Sequence, residues 1–153
     1  NILIEKLGFK QINQTMQEMG YTDTILQRKM MDFSSIKEGK ENYTSVSDLV
    51  TLLFKIANDQ CIGEPYDQKM LSILKKQKQK TILPNGIPEN YTIANKCGNL
   101  PGVVNDAAII YSEDGGYILC VLSENVPEEN ARKTIVKISK VAFEYYETVF
   151  RDP

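Results

Sequence analysis

The chain has 153 residues, enough for one domain with its own hydrophobic core. A hydrophobic fraction of 42% excludes wholesale disorder. With 18 basic and 20 acidic side chains intermixed and a net charge of −2, it lacks the concentrated basic face that a nucleic-acid partner requires.

The first stretch, Asn1-Ile2-Leu3-Ile4, reads as helix interior, and Gly8 is placed to end that helix. A chain that starts inside a helix is expected to be a cleaved, trimmed or engineered fragment. Lys10 to Met19 carries Ile12, Met16 and Met19 at helical spacing and ends at Gly20. Residues 21–43 lack periodicity, and a loop of that length inside a compact domain is often functional.

Thr44 or Ser45 can cap the next helix, whose apolar stripe includes Val46, Leu49, Val50, Leu53, Phe54 and Ile56. Pro65 suits the first position of a further helix that buries Met70, Leu71 and Leu74. The basic run Lys75-Lys76-Gln77-Lys78-Gln79-Lys80 reads as the solvated end of that helix, where cations meet the negative pole of the helix dipole.

After Pro84-Asn85-Gly86 the texture changes. Asn90 to Lys96 and Val103 to Tyr111 read as strands, Glu113-Asp114-Gly115-Gly116 as a hairpin turn, and Tyr117 to Leu122 as the return strand. Pro127-Glu128-Glu129 opens a last helix with a broad apolar face including Ile135, Ile138, Val141 and Tyr145. The expected fold class is α+β: helices, then an antiparallel sheet, then a covering C-terminal helix. Three strands form a marginal sheet, so further strands are expected from an upstream segment or a second chain.

No apolar run reaches transmembrane length, and no segment reads as a signal peptide. The three cysteines, Cys61, Cys97 and Cys120, have neither an even count nor close metal-type spacing, so neither a disulfide scaffold nor a zinc site is expected. The chain has no histidine, which excludes a Ser-His-Asp triad and His-ligated metal sites within it. No G-x-G-x-x-G or P-loop is present, and no cofactor is implied. What remains is Lys96-Cys97-Gly98-Asn99, which sets a lysine, a thiol and a glycine at a strand end.

In its wider context that stretch resembles the Lys-Thr/Ser-Gly strand of class A β-lactamases and other penicillin-recognising serine hydrolases. Other features agree with that family in order. Asn1 to Gly8 resembles the helix after its Ser-Asp-Asn motif, Lys10 to Gly20 the next helix, and Leu26-Gln27-Arg28 through Ser45 its Ω-loop. Leu100-Pro101-Gly102-Val103-Val104-Asn105-Asp106 and the hairpin beyond are similar to its following strands. The resemblance covers Asn1 to about Tyr146, the C-terminal half of the family fold. It divides the chain into 1–83, part of a helical subdomain with an Ω-like loop at 21–43, and 84–153, part of an α/β subdomain.

The resemblance implies an acyl-serine mechanism on β-lactams or D-Ala-D-Ala-type peptides, and a bacterial extracellular or cell-envelope setting. The nucleophile's Ser-x-x-Lys and the Ser-Asp-Asn motif would lie upstream, so this chain alone cannot form the acyl-enzyme. Within the chain, Lys96 would supply positive charge to the substrate carboxylate and to the serine of Ser-Asp-Asn. Gly98 would admit the substrate backbone, and the N–H of Asn99 would face the acyl oxyanion. Cys97 stands where the family has a hydroxyl, and a thiol is a weaker donor. Met30 falls where the family carries the glutamate that activates the deacylating water, and a thioether accepts no proton at neutral pH. Slow deacylation is therefore expected. Asp32 is a nearby carboxylate that could substitute, although its shorter side chain two residues on is expected to point elsewhere.

Other readings are a non-catalytic relative that binds cell-wall peptide or a protein partner, and an α+β domain outside the family. Cys97 is read as an inert, semi-buried thiol ahead of a nucleophile activated by Lys96.

Overall fold

The computed structural model describes residues 1–113 and 115–150. Asp114 of the expected hairpin turn lies outside them. The chain forms two compact units, one over Asn1–Leu49 and one from Val50 onward.

In the first unit, α1 (Ile2–Glu18) is interrupted at Gly8, whose φ of 78° and ψ of 151° are non-helical. The segment after it is an Ω-like loop whose neck is closed by an antiparallel bridge between Ile25 and Tyr43. Asn42 braces the same neck. Its Oδ1 accepts from the N–H groups of Gln27 at 2.8 Å and Arg28 at 3.0 Å, and its Nδ2 donates to Arg28 O at 3.1 Å. Arg28 is buried, and its guanidinium reaches Glu41 Oε2 through Nε at 3.0 Å and Nη2 at 2.7 Å. The loop also contains a helix that periodicity does not reveal, α2 (Phe33–Lys37), too short to repeat a pattern. Its signal is the N-cap Asp32, which accepts from Ser35 N–H at 3.1 Å.

Ser45 caps α3 (Val46–Ala57), its hydroxyl accepting from Asp48 N–H at 3.1 Å. In the second unit Asp67 organises the start of α4 (Tyr66–Lys75). Its carboxylate is fully buried and accepts from the N–H groups of Cys61, Ile62 and Gly63. Burial alone raises its pKa, and the three amide donors together outweigh that and hold it below the usual value. Pro65 sits at the N-cap, one position before the first helical residue Tyr66 and not at the first helical position expected for it.

The sheet is β1 (Thr92–Leu100), β2 (Val103–Ser112) and β3 (Gly115–Val121), antiparallel throughout, in the order β1-β2-β3. This is the α+β partial fold expected, with one change. β1 begins at Thr92 and continues through Lys96-Cys97-Gly98 to Leu100, so these residues lie inside the strand and not at its end. The reason is the tight connection that follows. Leu100 pairs with Val103 across Pro101-Gly102, and Gly102 has the positive φ of 78° that such a turn needs.

One face of the sheet packs under α5 (Glu128–Phe150) and a short 3-10 helix at Leu83–Gly86. Its buried core includes Leu83, Val104, Ala108, Ile110, Ala131 and Ile135. Gly86 allows the 3-10 helix to lie against α5, since a Cβ there would meet Val136 O at 2.6 Å. The alternate residues Ala94, Ala107 and Ile109 are buried on the opposite face, and α4 contacts β1.

Candidate active site

The chemistry-bearing stretch lies on an outer strand, and its backbone polarity follows from one serine. Ser123, just beyond β3, accepts from Val104 N–H at 3.1 Å and donates to Val104 O at 2.6 Å. Both main-chain groups of Val104 therefore point toward β3. In an antiparallel ladder, hydrogen-bonded and non-bonded pairs alternate, so the Asn99–Val104 pair is non-bonded. The N–H and C=O of Asn99 consequently point away from β2, out of the sheet edge. The same parity turns the main-chain groups of Cys97, Asn95 and Ile93 outward. Two side chains respect it: Lys80 Nζ donates to Ile93 O at 2.9 Å, and Lys96 Nζ to Cys97 O.

Side chains alternate across the two faces. Lys96 is exposed, on the face that carries Ala94 and Gly98, with its ammonium folded onto the Cys97 carbonyl. Cys97 is half-buried on the other face, packed against the core beneath α5. The thiol and the ammonium therefore leave β1 in opposite directions. Gly98 is exposed, and a Cβ there would meet nothing within 4 Å. Asn99 is exposed, and its side chain reaches Arg132 on α5.

Behind the strand runs a buried polar chain. Lys80 Nζ donates to Asn95 Oδ1 at 2.9 Å, and Asn95 Nδ2 donates to Asp106 Oδ1 at 3.2 Å. Asp106 Oδ2 accepts from Leu83 N–H at 3.1 Å, and Leu83 O accepts from Ser139 Oγ at 2.7 Å. Burial pushes the Asp106 carboxyl above its usual range, against the donors from Asn95 and Leu83. Burial also lowers the Lys80 ammonium, opposed by the charge of Asp106. The chain ties β1 to β2, the 3-10 helix and α5, immediately before Lys96. Lys80 thus corrects the reading of residues 75–80 as a solvated helix end: α4 stops at Lys75, and Lys80 turns inward. A groove of about 630 Å³ lies at the other end of β1, lined by Lys75, Lys80, Asn85, Glu89 and Tyr91 among others, and includes none of residues 96–99.

In the Ω-like loop, Met30 is pinned by its backbone while the residue as a whole is 49% exposed. Asn1 grips it from both sides, accepting from Met30 N–H at 2.8 Å and donating to Met30 O at 2.9 Å. Asp32 has its carboxylate fully engaged. Oδ1 accepts from Ser34 Oγ at 2.6 Å and Ser35 N–H at 3.1 Å, and Oδ2 accepts from Ser35 Oγ at 2.7 Å. The serine hydroxyls, chiefly, lower its pKa to about 2. A carboxylate so committed to capping α2 is a poor base.

Sequence reasoning missed Arg132 and Lys80. Arg132 had a faint signal, since Glu128 precedes it by one helical turn, but nothing in the sequence joins it to Asn99. Among the described residues no cluster of His, Cys, Asp or Glu could hold a metal ion.

An outer strand with outward main-chain groups, a lysine in it and a long helix behind it belong to a partial α+β fold of helices and an antiparallel sheet. The chain belongs to the β-lactamase enzyme family, whose model matches residues 1–146. The solved structure of PBP-A is 26% identical, with a TM-score of 0.84 over 95% of this chain and 54% of that one. An acyl-enzyme complex of a PBP-A variant with penicillin G is also 26% identical, with a TM-score of 0.82, covering 95% of this chain and 55% of that one. A β-lactamase from Sphaerobacter thermophilus is 25% identical, with a TM-score of 0.85 over 97% of this chain and 57% of that one. The chain thus spans a little over half the length of these structures. Among curated proteins none matches it significantly.

Proposed function

We propose that this chain is the C-terminal portion of an acyl-serine hydrolase acting on β-lactams or D-Ala-D-Ala-type peptides, with acylation faster than deacylation. The observation that carries the reading is the outward N–H of Asn99 on an outer strand whose neighbouring residue Gly98 is open to approach. An extended acyl-peptide or a β-lactam can lie along such an edge by main-chain hydrogen bonds. Its scissile carbonyl would then meet a backbone donor as negative charge develops on oxygen. Lys96 would leave the Cys97 carbonyl to meet the substrate carboxylate and the upstream serine motif. The packing of Cys97 against the core supports its reading as an inert thiol.

Slow deacylation is supported by Met30, which offers no base, and by Asp32, whose carboxylate is occupied. The nucleophile and the strands that would extend the sheet come, in this reading, from the upstream half of the same protein. No helix among the described residues is long and apolar enough to cross a membrane, and an extracellular or cell-envelope setting is the one that suits cell-wall or β-lactam substrates.

The test uses the protein carrying its upstream half. Mass spectrometry after penicillin treatment is expected to show a covalent adduct that persists, and stopped-flow hydrolysis of a chromogenic cephalosporin to show one fast turnover followed by a slow phase. Rapid multiple turnover would overturn the slow-deacylation reading. The lack of any adduct favours the second reading, a degenerate family member that binds cell-wall peptide or a protein partner, for which Met30 is the motivating observation.

A further inference from the structure

Asn99 carries more than a backbone donor. A guanidinium can only donate hydrogen bonds, so the Asn99 atom facing Arg132 is Oδ1, 2.6 Å from Arg132 Nη2. The Asn99 Nδ2 then faces Gly98 O at 2.9 Å. Gly98 O and the Asn99 N–H belong to one planar, trans peptide group and point in opposite directions. Whatever fixes that carbonyl also aims that N–H.

Arg132 is itself held. Its Nε and Nη2 donate to Glu128 Oε1 at 3.0 and 2.8 Å, and its side chain is only 27% exposed. The helix that bears it is anchored through the buried bond from Ser139 to Leu83 O. The end of β1 is held from one side by the ladder, in which Gly98 stands in the hydrogen-bonded pair with Asn105. On the outer side Gly98 has no side chain and Asn99 is exposed, so the Asn99 carboxamide is the side-chain brace of this peptide group.

We infer that Arg132 is a positioning residue: through the Asn99 carboxamide it locks the Gly98–Asn99 peptide plane and so aims the N–H that faces the acyl oxyanion. The inference rests on the acyl-transfer reading above and adds to it a residue from α5 that touches neither substrate nor nucleophile. Arg132 contributes direction, which matters because small misplacements of a catalytic group carry large rate costs.

The experiment is single-turnover acylation by a chromogenic cephalosporin, in the protein carrying its upstream half. It separates the acylation rate constant at saturation from the dissociation constant. Arg132→Ala is expected to lower the rate constant about 10-fold with the dissociation constant unchanged. Arg132→Lys, which can still give Asn99 Oδ1 one N–H, is expected to restore part of the loss. Asn99→Ala should match Arg132→Ala, and the double variant should be no worse than either, because both remove one device.

An unchanged rate constant in Arg132→Ala, with or without a lower melting temperature, overturns the inference. So does additivity in the double variant. A loss that falls on the dissociation constant overturns it too, since Arg132 would then hold the substrate itself. If the unaltered protein forms no adduct, the acyl-transfer reading fails instead. The clamp is then judged by the NMR shift of the Asn99 amide, which moves in Arg132→Ala if Arg132 holds the peptide plane and stays put if it does not.

Discussion

The edge of β1 and the Ω-like loop hold their candidate chemistry in different ways. At the edge the main donor is a backbone N–H, directed by strand parity and by the bonds of Ser123 to Val104. In the loop the corresponding chemistry would have to come from a side chain, and at that position the side chain is Met30. The loop's framework is nonetheless well built, with Arg28 buried on Glu41, Asn42 bracing the neck and Asn1 gripping Met30. On the proposed reading, the loop keeps a built framework around a residue that offers no base, while the donor at the edge is a main-chain group that does not depend on its own side chain.

Four outcomes would break or sharpen this contrast. The largest is expected from Met30→Glu in the protein with its upstream half. If the loop lacks only a base, the new carboxylate should speed deacylation by about 100-fold or more, leaving acylation unchanged, as burst and steady-state kinetics would report. No gain in the slow phase would mean that the loop has lost more than one side chain. Next is Lys96→Ala, expected to slow acylation by about 100-fold, the scale of removing one electrostatic stabiliser. Because Lys96 is exposed, its melting temperature should stay near that of the parent, and a large drop would assign Lys96 to stability instead.

The third outcome concerns the support behind the edge. Ser139→Ala leaves the buried Leu83 carbonyl without its hydroxyl donor, and a loss of about 1–3 kcal/mol in denaturant unfolding is expected.

The smallest effect is on pH dependence, and it has opposite signs in the two regions. Asp32 has a folded pKa lowered to about 2 from 3.8. Its contribution is present above 3.8 and lost as pH falls through about 2. Amide exchange at Ser35 should accordingly rise, relative to its intrinsic rate, on acidification. Asp106 has a folded pKa raised above 3.8. Its contribution is fully present below 3.8 and declines as pH rises through the raised value. Protection at Leu83 N–H should therefore be greatest in acid. The same direction at both amides would mean that the two carboxyls do not govern their own surroundings.

Much of the fold was legible because apolar spacing and turn residues report directly on local structure. Val46 to Ile56 gave α3, and Val103 to Tyr111 gave β2. The continuation of β1 through Gly98 and Asn99 was hidden, since neither residue favours strands and the ladder there is held by main-chain bonds. Lys80 was hidden because a Lys/Gln run looks solvated until its partners, Ile93 O and Asn95 Oδ1, are brought near by folding. In the candidate site, Lys96, Gly98 and Asn99 could be named from a motif. The opposite departures of Lys96 and Cys97 from the strand follow from alternation alone. The contact with Arg132, 33 positions downstream of Asn99, depends on how α5 covers the sheet, which no local pattern encodes.

The two-residue connection Pro101-Gly102 carries a consequence for how this protein can vary. Because Asn99 faces outward only while it stands opposite a β2 residue that, like Val104, turns its main-chain groups toward β3, the hairpin behaves as a parity device. Lengthening or shortening the connection by one residue, with β2 fixed, slides β1 by one step. Every outward donor then turns inward and each buried side chain changes face. A change of two restores both. Insertions and deletions at this hairpin are therefore constrained by whether they are odd or even more than by their size.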